Sequence, residues 1–116
     1  MTNVTIYHNP RCSKSRATLA LLEQQGIQPH IIKYLEDPPS TATLRSVLRM
    51  LGLKPRELMR TKETEYRSLG LDDPALSDEA LIQAMHEHPR LIERPIVVAG
   101  DKAAIGRPPE NVLNIL

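Results

Sequence analysis

The sequence predicts an α/β domain built on a small mixed sheet of about four strands. Three features carry that prediction. Two β-branched runs, residues 4–7 and 30–35, flank a helical apolar pattern that begins near Ser13. A continuous apolar run, residues 95–99, is followed by Gly100-Asp101 and residues 103–106, the pattern of a hairpin. Helical periodicities fill the stretch between these two groups.

In chain order, residues 4–7 read as a strand broken by Asn9-Pro10. Ala17, Leu19, Ala20, Leu21 and Leu22 give the following helix its apolar face, and Gly26 suits its C-terminal cap. The strand–helix–strand order implies a parallel pair with a right-handed crossover. Asp37-Pro-Pro-Ser40 is a loop. Ser40 or Thr41 caps a helix carrying Leu44, Val47, Leu48 and Leu51, which Gly52 ends. Pro55 opens a short helix with Leu58 and Met59 inward. Asp72-Asp-Pro is a turn, and Ser77 opens a helix running to about Glu87, limited by Pro89. The apolar run 95–99 reads as a central strand buried on both faces. Pro108 is placed for the first turn of a last helix through Val112, Leu113 and Leu116. No repeat or linker interrupts residues 1–116, so a single domain is expected, and the thioredoxin-like arrangement is the candidate topology.

Bulk composition narrows the function. The chain has 116 residues, a net charge of +1, no Trp, no Phe and three Tyr. The core must therefore be aliphatic. The charge balance supplies no field for nucleic acid or a membrane surface, so neither is an expected partner. The first residues show no basic and apolar signal pattern, and no apolar run approaches the ~20 residues that span a bilayer. One cysteine cannot form an internal disulfide, which points to a reducing cytoplasm. No exposed apolar stripe is evident, and a monomer is expected.

That cysteine, Cys12, sits between a strand and the start of a helix. A helix start presents free N–H groups and the positive end of the dipole, and both lower a thiol's pKa. Arg11, Lys14 and Arg16 add positive charge, and Ser13 and Ser15 add hydroxyls. A lone cysteine is commonly just a small buried hydrophobe. The polar, basic neighbours here favour a functional thiolate instead. Ser15 stands where a Cys-x-x-Cys dithiol has its second thiol. Thr18 stands where a phosphatase cradle has its arginine. What remains is a monothiol that needs an outside thiol to complete a two-electron reduction.

Four segments, IYHNPRCSKSR, ELMR, ERPIVV and IGRPPE, occur in this order along essentially the whole chain. Together they resemble the glutathione- and glutaredoxin-coupled arsenate reductase family, in its short subgroup without a C-terminal extension. The resemblance implies a thioredoxin-like (glutaredoxin-like) fold with an inserted helical segment. It makes Cys12 the nucleophile toward arsenate and Arg60, Arg94 and Arg107 the oxyanion-binding arginines. It places His8 near the thiol to help its ionisation and the Ser15 hydroxyl beside the thiolate. It also implies a cis bond at Arg94-Pro95. No bound cofactor is expected; glutathione is the implied co-substrate and glutaredoxin the implied protein partner. Guanidinium forks suit a tetrahedral oxyanion because they bind oxygens bidentately and stay charged.

Two other functions share these residues: a glutathione-dependent thiol oxidoreductase acting on another substrate, and a polymerase-binding regulator of the same fold. The regulator is disfavoured because Ser15 removes its Cys-x-x-Cys switch. His86 and His88 are two apart on a helix and face different sides, so no metal site is expected. His30 reads as structural or exposed, and the basic stretch 56–67 as a solvated helix face. Met50, Met59 and Met85 read as core filler. Asp72, Asp73, Asp78 and Glu79 read as turn and cap residues.

Overall fold

The structure, a computed structural model, describes residues 3–116; Met1 and Thr2, part of both the single-domain and the signal readings, lie outside them. The described residues form two compact units: the chain up to Asp37 together with Arg94–Leu116, and Pro38–Glu93.

The first unit carries the sheet. Its elements are β1 (Val4–His8), α1 (Ser13–Gln24), β2 (His30–Lys33), β3 (Ile96–Ala99), β4 (Lys102–Ile105) and a closing 3-10 segment, Pro109–Ile115. Strand order is β2-β1-β3-β4. β1 and β2 run parallel, with Thr5 opposite His30, and the other two pairs are antiparallel. The mixed four-stranded sheet is therefore the one expected, with β3 central. Val4 and Ile6 of β1, Leu22 of α1, Val97 and Ala99 of β3 and Val112 form the core. Each fully buried aliphatic side chain contributes about 1.5–3 kcal/mol.

Local signals explain most element ends. Gly26, at φ 75°, completes a left-handed cap on α1. Its N–H bonds Glu23 O at 3.0 Å, and Ile27 N–H bonds Leu22 O at 3.1 Å. Gly100, at φ 63°, and Asp101 form the two-residue turn between β3 and β4. Two expectations need correction. The second strand ends at Lys33 rather than Leu35, because the N–H groups of Glu36 and Asp37 turn back onto Lys33 O at 3.0 and 2.9 Å. The last helix is 3-10, not α, and starts at Pro109: Asn111 N–H reaches Pro108 O, three residues back, at 3.0 Å. The peptide bonds Arg94-Pro95 and Arg107-Pro108 are both cis.

The second unit is helical: α2 (Thr41–Leu51), α3 (Pro55–Leu58), α4 (Thr64–Ser68), α5 (Asp78–Glu87) and a 3-10 turn, Pro89–Leu91. Ser40 Oγ accepts Thr43 N–H and Ser77 Oγ accepts Ala80 N–H, both at 3.1 Å, as the capping residues predict. Leu44, Val47, Leu48, Leu58, Leu81, Ile82, Met85 and Leu91 are buried. Met59 is buried with them and Met50 only half-buried. The basic stretch 56–67 is not one solvated helix face. It is two short helices joined by a turn, and Tyr66 of α4 is buried. Arg56 donates to Tyr66 Oη, to Leu71 O at 2.6 Å and to Asp73 O at 3.0 Å. Met59 and Ile92 form an antiparallel bridge, flanked by Arg60 N–H to Leu91 O at 2.7 Å and Glu93 N–H to Leu58 O at 2.8 Å.

Gly106 closes the first unit where β4 ends. Its N–H donates to Pro95 O at 2.9 Å, and Thr18 Oγ1 of α1, fully buried, lies 3.4 Å from its carbonyl. A Cβ here meets Pro95 Cγ at 2.9 Å and Thr18 Cγ2 at 3.0 Å, closer than side chains tolerate. Gly106→Ala is therefore expected to destabilise the protein by about 1–3 kcal/mol in urea denaturation. An unchanged midpoint contradicts this packing.

Candidate active site

The site grows from the turn between β1 and α1. Asn9 organises it. Its carbonyl accepts Cys12 N–H at 3.0 Å, its Oδ1 accepts Arg11 N–H at 3.0 Å, and its N–H donates to Ser15 Oγ at 3.0 Å. The Oδ1 bond is a side-chain turn of the kind asparagine favours. Sequence reading took Asn9 only as a strand breaker, so this role was missed. The Asn-Pro pair was its available signal.

Cys12 is the N-cap of α1, with extended φ and ψ of −96° and 123°, and its carbonyl accepts Arg16 N–H at 3.0 Å. The side chain is buried. Burial by itself pushes the thiol pKa up. The N–H of Ser15, the charge of Arg94, the N–H of Lys14 and donation from Arg94 together outweigh it and hold the thiol below its ordinary value. No capping hydrogen bond of full geometry reaches the sulfur, so these donors act by facing the charge rather than by closing a tight cap.

Arg94 faces Cys12 in the first unit, and Arg107 lies beside Arg94. Arg94 Nε and Nη1 are withdrawn from solvent. Arg107 is exposed, and its Nη1 donates to Arg94 O at 3.3 Å. Asn111 Nδ2 donates to Arg107 O at 3.1 Å, which ties the Arg107 loop to the closing 3-10 segment. Arg60 lies in the second unit, where Glu63 holds its guanidinium.

His8 and Ser15 pair with each other at the base of the turn between β1 and α1. His8 Nδ1 lies 2.6 Å from Ser15 Oγ, and the same oxygen accepts Asn9 N–H. Both side chains are buried. Burial, then the charges of Lys33 and Arg16, lower the His8 pKa, so the imidazole is neutral near pH 7. The Ser15 hydroxyl is thus engaged on the His8 and Asn9 side, and its backbone N–H faces the sulfur. Among the described residues, no three His, Cys, Asp or Glu side chains gather as metal ligands. No helix of the described residues is long and apolar enough to cross a membrane.

Two outcomes follow. The rate of Cys12 alkylation by iodoacetamide should rise with pH around a midpoint below the ordinary 9.0, and Arg94→Gln should move that midpoint upward. A midpoint unaffected by Arg94→Gln contradicts the electrostatic role. For His8, the unfolded chain takes up a proton as pH falls through 6.5 while the folded state resists it. The unfolded state then binds more protons, so stability falls from that pH toward the lower folded value. His8→Asn should lessen the loss of urea midpoint between about pH 7 and about pH 5; an equal loss rules out His8 as the cause.

The pattern of the ArsC family matches residues 7–115. The chain is 60% identical over 114 residues to an uncharacterized protein of Escherichia coli, YfgD, covering 97% of this chain and 96% of that one. It is 57% identical over 115 residues to the arsenate reductase of Haemophilus influenzae, covering 98% and 99%. The solved structure of an arsenate reductase from Vibrio cholerae superposes with a TM-score of 0.97 at 59% identity, covering 99% and 98%. The fold is thioredoxin-like, and the chain belongs to the ArsC family.

Proposed function

We propose that this chain is an arsenate reductase that uses Cys12 as its nucleophile. The observation that carries the reading is the arrangement around Cys12. A buried thiol faces the first N–H groups of α1 and the Arg94 guanidinium, which favour an anion on the sulfur. The same donors suit a tetrahedral oxyanion brought to that sulfur. The relatives named arsenate reductase support the substrate.

In the proposed reaction the Cys12 thiolate attacks arsenic, an oxygen leaves as water, and a thiol–arsenate ester forms. Arg94 and Arg107 offset the repulsion between thiolate and substrate and stabilise charge in the transition state. Arg60 is the third oxyanion ligand. The glutathione sulfur then bonds to arsenic, its proton goes to a second arsenic oxygen, and that oxygen leaves as water. Glutaredoxin thiolate then attacks that sulfur, making a mixed disulfide, and the sulfur–arsenic electron pair passes to arsenic, reducing it from the +5 to the +3 state. Hydrolysis frees arsenite and Cys12. His8 and Ser15 hold the Asn9–Cys12 turn that aims the thiolate. Because the reductant is a thiol, the assigned compartment is the reducing cytoplasm, where the protein works as a monomer.

Arsenite formation with glutathione and glutaredoxin tests the reading. Cys12→Ala should abolish it, and Arg94→Ala should lower kcat/KM by about a hundredfold, as loss of a charged transition-state ligand does. Arsenite formed by the Cys12→Ala protein sinks the mechanism. A folded, thiol-reactive wild type that forms no arsenite assigns the site to another substrate.

A further inference from the structure

The Pro38–Glu93 unit contains a carboxylate shared between two arginines. Arg60 Nη1 donates to Glu63 Oε1, three residues on, and Arg90 Nη2 lies 3.5 Å from Glu63 Oε2. Arg90 Nε also lies 3.6 Å from Glu65 Oε2. The side chains of Glu63 and Arg60 are 17% and 29% exposed, that of Arg90 64%. The Arg60–Glu63 contact is thus the sheltered one, and Arg90 grips the same carboxylate from the solvent side.

The backbone here is fixed at both ends. Arg60 N–H is bonded to Leu91 O at 2.7 Å, and Glu63 N–H is bonded to Arg60 O at 3.1 Å. What can change partner is the guanidinium. It offers several donors but one positive charge, and a carboxylate and an arsenate oxygen ask for the same donors. An oxyanion that engages Arg60 must therefore share it with Glu63 or displace Glu63. Arg90 is already placed to keep the displaced carboxylate.

We propose that Glu63 is a positioning residue that competes with the substrate oxyanion for Arg60, and that Arg90 weakens this competition by drawing Glu63 toward itself. The inference rests on the arsenate reductase reading, with Arg60 as an oxyanion ligand. Its signature is a pair of opposite effects. Glu63→Gln keeps the shape but removes the competing charge, so anion binding tightens. Arg90→Ala leaves Glu63 to Arg60 alone, so anion binding weakens. A network that serves only to hold the fold weakens binding in both variants.

Arsenate affinity, measured by titration calorimetry on unreactive Cys12→Ser protein, tests this directly. KM and kcat of the Cys12-containing proteins provide the second readout. Glu63→Gln should lower Kd and KM by about twofold to fivefold, the range of a partly exposed ion pair, with kcat little changed. Arg90→Ala should raise both by a similar factor. In an Arg60→Ala background, Glu63→Gln should have no effect on either. Arsenate binding that depends on Arg60 but is unchanged or weakened by Glu63→Gln overturns the competition and leaves the reductase reading standing. A wild type that binds no arsenate, or binds it regardless of Arg60→Ala, overturns the assignment of Arg60, and the competition falls with it.

Discussion

Withdrawing a thiolate from water costs free energy unless other charges and donors replace the solvent. Cys12 is withdrawn, and its replacements are two N–H groups of α1 and the guanidinium of Arg94. This exchange is the constraint on which the rest of the first unit depends. The sulfur has to lie at the start of a helix, and the chain that supplies Arg94 has to arrive there. Both conditions concern backbone placement before they concern side chains.

The fold meets the first condition through the Asn9 turn, which converts the end of β1 into the start of α1 within four residues. His8 and Ser15 belong to that turn. Their hydrogen bond is buried and the imidazole is neutral, so they contribute shape to the site, and the charge facing the thiol is that of Arg94. The second condition is met at the entry to β3. Pro95 O accepts Gly106 N–H, Arg107 donates to Arg94 O, and Thr18 of α1 packs where Gly106 lacks a side chain. α1, the β3 entry and the β4 exit thus converge around Gly106, whose absent Cβ lets them approach.

Much of this was legible in the sequence because the signals are local. The first β-branched run, Gly26, Ser40, Gly52, Ser77 and the Gly100-Asp101 turn each act within a few residues and appear where read, and the second run starts where read but ends two residues early. The setting of Cys12 was legible for the same reason: the helix start that it caps and the basic residues around it lie beside it in the chain. The pairing of Arg94 with Cys12 came only from the family resemblance, since 82 positions separate the two residues and no periodicity links them. The Thr18–Gly106 contact and the Glu63–Arg90 pair were not legible at all, because each joins residues whose local patterns point elsewhere. Glu63 looked like one charge among many on a solvated helix. The last helix was misread because a proline at a helix start is equally compatible with α and 3-10 continuation. The hydrogen bonds that the Ser15 hydroxyl makes with Asn9 N–H and His8 were not read from the sequence, because they depend on how the turn closes.

In the proposed reaction the donors that hold the Cys12 anion also receive the substrate oxyanion at the sulfur. Protection of Cys12 from iodoacetamide by arsenate, measured without any reducing thiol, reads this most directly. Arsenate should slow alkylation saturably, with protection largely lost in Arg94→Ala protein when compared at matched thiolate fraction. Alkylation that proceeds at the same rate with and without arsenate in the folded wild-type protein contradicts it.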